Sequence, residues 1–229
     1  MADPGQIINL SWQTSNAESV TVYRLNTGGQ FASFWNVDAS GTMSYTIASH
    51  ERNSVSFMLF AGNEDEESIN ASLNIALTCP DDWFFAPAPD GCPASKAVEF
   101  PAAEQRFENG LMLWVGDENP SIYVLYEDGA SPHWRVYQDN WAEGEPVNDP
   151  DIVPPDGFFQ PIRGFGLTWR EEPGVRERLG WAITQEFGFT TARQSTSYSK
   201  YNDLYLRAMD HNVWRLLTEG SGWEKIVAP

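Results

Sequence analysis

The stretch "GLMLWVGDENPSIYVLYEDG", residues 110 to 129, sets two apolar runs either side of a loop rich in Asp and Asn and closes on a glycine turn. That order reads as a β-hairpin. A second copy follows at a constant offset of 91: Phe107 answers Tyr198, Trp114 answers Tyr205, Ile122 answers Val213, Tyr123 answers Trp214, Leu125 answers Leu216, Asp128 answers Glu219 and Gly129 answers Gly220. Its strands are "DLYLRA" and "NVWRLLTEG". One hairpin cannot bury its own apolar face, so two similar units are expected to pack together, Trp114 over Tyr205 and Gly129 over Gly220, with the aromatics facing a shared interior.

Upstream, residues 6 to 78 form a series of short runs with period two. "IINLSW" places Ile8, Leu10 and Trp12 on one face, and "SVTVYRL" does the same with Val20 and Val22. Turns such as "NTGG", "DASG" and "GNEDEES" separate them, which predicts a β-sandwich over residues 1 to 78. The opening "LSWQTSNAESVTVYRL" resembles the first hairpin of bacterial immunoglobulin-like domains, and the resemblance implies a spacer or scaffold without catalytic residues. A Pro-rich segment, "TCPDDWFFAPAPDGCPAS", ends the unit. Such a stretch forms neither a helix nor a central strand, so 79 to 103 reads as a linker and 104 to 229 as an aromatic-rich β repeat domain.

Between the hairpins the period changes. Trp134, Tyr137 and Trp141 fall at i, i+3 and i+7, Ser131 can cap and Pro132 suits the first helical position, which predicts a short helix ending before Gly144. The next stretch, "EPVNDPDIVPPDGFFQPIRGFG", holds five prolines and is expected to be an extended loop. "GLTWREEPGVRERLGWAITQEFG" then predicts a short strand or turn and a helical turn around Val175 to Leu179. The expected fold class is therefore mainly β, a sandwich followed by hairpin repeats with one or two short helices.

The order Gln105-x-Phe107-x-x-Gly110, a strand ending in Trp, an Ile-Tyr strand, a Gly turn, an aromatic helix, then Leu179-Gly180-Trp181-Ala182 followed by Gln185-Glu186, resembles the bacterial cell-surface repeats named for a Leu-Gly-Phe-Pro tetrapeptide. The similarity spans residues 104 to 223, with Trp181 and Ala182 in place of Phe and Pro. It implies a small, mostly β module that attaches an exported protein to an envelope polymer.

Acids outnumber bases 32 to 14, giving a net charge of -18 that repels phosphate backbones and anionic lipid. Nucleic-acid partners are thereby disfavoured, and no run approaches the ~18 to 20 apolar residues of a spanning helix. The start "MADPGQ" has no basic or apolar leader region, so Met1 either begins a cytosolic chain or precedes a mature chain whose signal peptide has been removed. Cys79 and Cys92, close together in a loop, favour a disulfide and hence an exported, cell-surface protein. The histidines, His50, His133 and His211, are scattered far from them, which disfavours a zinc site.

Eight of the ten tryptophans lie from Trp83 onward. Most are expected to fill the space between hairpins, while Trp134, Trp141 and Trp223 are the candidates for stacking on a sugar ring. Asp149 and Asp151, in "NDPDIVPPDG", are the candidate polar contacts; with Asp156 they suggest calcium only weakly. Asn63, Asp65 and Glu67 lack the glycine and the terminal acid of a calcium loop, since Ser68 and Asn74 stand there, and no metal or other cofactor is expected. No nucleophile elbow, zinc-binding helix or phosphate loop occurs, so a non-enzymatic protein is expected. A carboxylate pair drawn from Glu104, Glu108, Glu143 and Glu186 is the alternative, since each lies near predicted aromatics. The sequence thus points to an exported binding or anchoring protein for an envelope or extracellular polysaccharide. The alternatives are a structural or adhesive subunit with protein partners at the cell surface, and a glycan-active hydrolase.

Overall fold

A computed structural model of the chain describes residues 1–62, 68–198 and 200–227. The protein is mainly β and divides into two compact units, the first made of Met1–Trp83, Pro89–Lys96 and Thr196–Lys200, the second of Phe84–Ala88, Ala97–Ser195 and Tyr201–Pro229. The segment read as a linker is therefore shared out between them. Its last residues already belong to a strand, Val98–Phe107.

In the first unit six strands, β1 (Ile7–Gln13), β2 (Ser19–Leu25), β3 (Phe31–Val37), β4 (Ser40–Thr46), β5 (Ser54–Gly62) and β6 (Ser68–Ala76), form two antiparallel sheets, β1-β4 and β3-β2-β5-β6. The period of two is visible in the burial: Leu10 is buried between exposed Asn9 and Ser11, and Val20 and Val22 are buried along β2. Leu10, Val22, Ile47, Val55 and Phe57 meet between the sheets, so the unit is a sandwich. β1 and β2 do not pair as a hairpin. They lie in different sheets, because two strands with one apolar face each bury both faces by stacking and only one side by pairing edge to edge. Cys79 and Cys92 are bonded, with Cα atoms 5.1 Å apart. The backbone N–H of Cys92 donates to Asn53 Oδ1 at 2.7 Å.

The second unit contains β7 (Val98–Phe107), β8 (Gly110–Val115), β9 (Ser121–Tyr126), β10 (Trp134–Gln138), α1 (Arg163–Glu171), α2 (Val175–Leu179), β11 (Phe187–Ser195), β12 (Leu204–Arg207), β13 (Val213–Leu216) and β14 (Trp223–Ile226). One eight-stranded antiparallel sheet runs β10-β9-β8-β7-β11-β12-β13-β14. It is two four-stranded meanders joined back to back through β7 and β11, with a pseudo-twofold axis at the Pro101–Thr190 pair.

The repeat is real but its spacing is not constant. β9 maps on β13 at 91 residues, Tyr123 onto Trp214, but Leu113 pairs with Tyr123 while Leu206 pairs with Trp214, so β8 maps on β12 at 93. β10 maps on β14 at 89, since Trp134 pairs with Leu125 and Trp223 with Leu216. The equivalence of Trp114 with Tyr205 is thereby overturned: Trp114 pairs with Ile122, whose counterpart Val213 pairs with Arg207. Neither aromatic faces the common interior. Loop lengths between strands are free to change, and only the inward set has to keep its face.

That inward set is Leu111, Leu113, Leu125, Leu206, Trp214 and Leu216, all almost fully buried. Each such side chain contributes about 1.5 to 3 kcal/mol on leaving water. The sheet curls until its free edges approach and is nearly closed. His133 N–H donates to Gly220 O at 2.8 Å, and two indoles complete the seam: Trp134 Nε1 donates to Leu217 O at 2.8 Å and Trp223 Nε1 to Tyr126 O at 2.9 Å.

The helix expected over residues 131 to 143 is instead β10. Trp134 packs into the interior and Tyr137, three residues on, against the opposite face. Both faces of this sheet are covered, so an odd spacing of aromatics is compatible with a strand, and β9 gains a partner for its free backbone groups. The helix that covers the outer face of the first meander, α1, lies where an extended loop giving way to a short strand or turn was expected. Two glycines and a threonine hid it. Both glycines are required by close approach: a Cβ on Gly164 would stand 2.4 Å from Asp139 Oδ1 and one on Gly166 2.5 Å from Pro161 O. Phe165 and Trp169, at i and i+4, are buried with Val175 and Leu179 of α2 against Met112, Ile122 and Val124.

The tetrapeptide Leu179-Gly180-Trp181-Ala182 docks the helices on the sheet. Asn109 N–H donates to Leu179 O at 2.9 Å, Glu108 N–H to Trp181 O at 3.0 Å, Trp181 N–H to Glu108 Oε2 at 2.7 Å and Trp169 Nε1 to Gly180 O at 2.8 Å. Gly180 has φ 73°, and a Cβ there would meet Glu108 Oε2 at 2.3 Å. No helix among the described residues is long and apolar enough to cross a membrane.

Candidate functional site

Small residues on β7 make room for a cleft on the outer face of the first meander. Ala103, on the outer face, and its neighbour Ala102 line it, and the cleft measures ≈ 320 Å³. Trp114 reaches it from β8, Asp139 and Trp141 from the chain just after β10, Arg163 and Gly164 from the start of α1, and Glu186 and Gly188 from the entry to β11. Five segments of the chain thus converge on one surface.

Asp139 holds the indole of Trp114 and the backbone of Trp141. Its Oδ2 accepts the Trp114 indole N–H at 2.8 Å, its Oδ1 accepts the backbone N–H of Trp141 at 3.1 Å, and its own N–H donates to Pro120 O at 2.8 Å. Only a glycine at 164 lets α1 come against this carboxylate. Trp141 stays half-buried, with its indole N–H directed to Pro146 O at 3.3 Å. Arg163 sits at φ 50°, a left-handed backbone position uncommon for a side-chain-bearing residue, and its N–H holds Val147 O at 2.8 Å. This bond ties the long loop to the rim of the cleft.

Glu186 is half-buried and accepts no hydrogen bond among the described residues. Burial pushes its carboxyl above the usual carboxylate range; the guanidinium of Arg163 opposes that rise and the charge of Asp139 adds to it. The site therefore joins two indole surfaces, one carboxylate with both oxygens engaged, one carboxylate without a donor, and one exposed guanidinium.

Of the residues singled out from sequence, Trp141 lines this cleft. Trp134 and Trp223 instead pack against the interior of the curled sheet, with their indole N–H groups used in the seam. Asp149 and Asp151 form a turn on the loop, where Asp151 N–H donates to Asp149 Oδ1 at 3.0 Å. The structure does not bring them to the cleft. Glu104 is buried inside the sheet and accepts the Trp214 indole N–H at 3.1 Å, Glu108 binds Trp181 N–H, and Glu143 is exposed; of these acids Glu186 alone lines the cleft. Asn63, Asp65 and Glu67 lie outside the described residues. Among the described residues no group of three or more His, Cys, Asp or Glu side chains could hold a metal ion.

Trp114, Asp139 and Arg163 were not singled out as ligand contacts from sequence, and little in it marks them. Trp114 reads as one more strand aromatic, and Asp139 acquires its partners from residues 114 and 164. Comparison of the chain with protein-family models, with curated proteins and with solved structures finds no match.

Proposed function

We propose that this is an exported, non-enzymatic binding protein that takes a glycan segment in the Trp114–Trp141 cleft. The observation that carries this is a concave site with two indole surfaces set beside polar groups held in place, the combination that stacks a sugar ring and reads its hydroxyls. The disulfide supports export. The order β1-β4 and β3-β2-β5-β6 supports the immunoglobulin-like reading of the first unit, and with it a spacer role. An envelope or extracellular polysaccharide is the proposed partner.

Titration of soluble oligosaccharides against the full chain, read by tryptophan fluorescence and calorimetry, tests the proposal. A binding glycan whose affinity drops on Trp141→Ala supports it. A flat response over neutral, acidic and amino-sugar oligomers refutes it.

Glycan hydrolysis is the second reading, favoured by one observation: Glu186 is held above its usual range beside Asp139, as a general acid next to a carboxylate requires. New reducing ends produced by the native chain and abolished by Glu186→Gln would replace binding with catalysis.

A further inference from the structure

The ligand chemistry of the cleft can be read from its electrostatics. We propose that the cleft is a receptor for the ammonium group of an amino sugar, which Glu186 and the indoles of Trp114 and Trp141 receive; this rests on the glycan-binding reading above. Glu186 is half out of water yet accepts no hydrogen bond among the described residues, whereas Asp139 already receives one on each oxygen. A partly desolvated carboxylate without a donor is complemented by a group that brings several, and an ammonium brings three.

The charges agree. Asp139 and Glu186 face the cleft against the single guanidinium of Arg163, which makes no ion pair with either among the described residues. One negative charge is left in excess. Indole faces attract a cation electrostatically, and they do so most strongly where water is partly excluded. The net charge of -18 adds a field that draws cations and turns away uronates or sulfated sugars. Arg163 then lies at the rim, where it can meet a ring hydroxyl.

Calorimetry at neutral pH on the full chain separates this from the parent reading. The probes are a glucosamine tetramer, its fully N-acetylated form, a glucose tetramer and choline, with Glu186→Gln as the variant and Glu143→Gln, an exposed acid outside the cleft, as the charge-matched control. The glucosamine tetramer should bind at least about tenfold tighter than the N-acetylated and neutral tetramers, the difference expected for one charge-assisted hydrogen bond. Glu186→Gln should erase that preference, and Glu143→Gln should preserve it. Equal affinity for the amino and N-acetylated tetramers overturns the ammonium assignment and leaves glycan binding standing. Choline bound as tightly as the amino-sugar tetramer overturns the sugar as the source of the ammonium. A variant that keeps the full preference removes Glu186 from the site, and binding by none of the sugars ends both proposals.

Discussion

Trp134 and Trp223 are related by the pseudo-twofold axis of the eight-stranded sheet, and each donates its indole N–H to the other meander. Trp134 reaches Leu217 O and Trp223 reaches Tyr126 O, two carbonyls that are themselves equivalent. Each indole also packs beside the equivalent aromatic of its own meander, Tyr123 at 6.4 Å and Trp214 at 5.5 Å between ring centroids. The seam that brings the free edges of the sheet together therefore adds a duplicated side-chain contact to the backbone bond from His133 to Gly220.

Phenylalanine at either position keeps most of the apolar surface but leaves a carbonyl without its donor. Trp134→Phe and Trp223→Phe should each cost about 1 to 2 kcal/mol in urea unfolding. The double variant should cost less than the two together, because once one bond is lost the edges part and the second holds little. Strict additivity would mean that the two bonds close the sheet independently.

Arg178, on α2, uses its whole fork. Nε and Nη2 hold Asp128 at 2.7 and 2.8 Å, Nη2 also donates to Ala130 O and Nη1 to Pro132 O, and the guanidinium lies 3.6 Å from the centroid of the Tyr126 ring. Lysine cannot reproduce that geometry, so Arg178→Lys should destabilise by about 2 kcal/mol or more. The hydrogen bonds from Arg178 hold the Asp128 carboxyl down at about 2. Its contribution to stability is thus present above the ordinary value of 3.8 and is lost as the pH falls through about 2. An NMR titration of the lysine variant should show Asp128 moving back up.

Glu186 has the opposite sign. Burial first, and then the charge of Asp139, raise its folded-state value above the ordinary 4.5, against the opposing charge of Arg163. The folded chain is therefore favoured by its protonated form, an advantage complete below 4.5 and lost as the pH rises through the raised folded value. Glu186→Gln should be more stable than the native chain at neutral pH and indistinguishable from it in moderate acid, as read from unfolding midpoints across that window.

Two tryptophans in one unit should respond differently to truncation. Trp169 is 1% exposed beneath the helices, and Trp169→Ala should cost about 3 to 5 kcal/mol. Trp141 is half-buried at the cleft, so Trp141→Ala should leave the unfolding midpoint close to native while removing ligand affinity.

The bond between Cys79 and Cys92, separated by 13 positions, should make the intact mass two hydrogens lighter before reduction than after. Its loss should destabilise the first unit by about 3 kcal/mol, chiefly by releasing the unfolded chain. Equal masses would remove the argument for export.

Much of the scaffold is legible in the residues themselves. Alternating apolar positions such as Ile8, Leu10 and Trp12 specify a strand with one buried face whatever lies opposite, and Gly129 and Gly220, at φ 75° and 72°, mark the same turn in two copies. The hairpins β8-β9 and β12-β13 and the short helix α2 follow from such local signals, as does the disulfide from two cysteines in a loop. Where a segment is covered on both sides the signal fails. β10 carries aromatics for two different neighbours and so reads as a helix, and α1 carries glycines that only Asp139 and Pro161 explain.

By itself, then, the sequence determined that the chain is mainly β, that its second part is a duplication and that its surface is strongly acidic, because period, turn chemistry and charge are properties of neighbouring residues. Which strands meet, by how many residues the copies slip, and which tryptophan lines a cleft were decided by the tertiary structure alone. Those outcomes depend on how a curled sheet shares its faces and on pairs such as Trp114 with Asp139. The energy of such pairs exists only once residues far apart in the chain have been brought within hydrogen-bond reach.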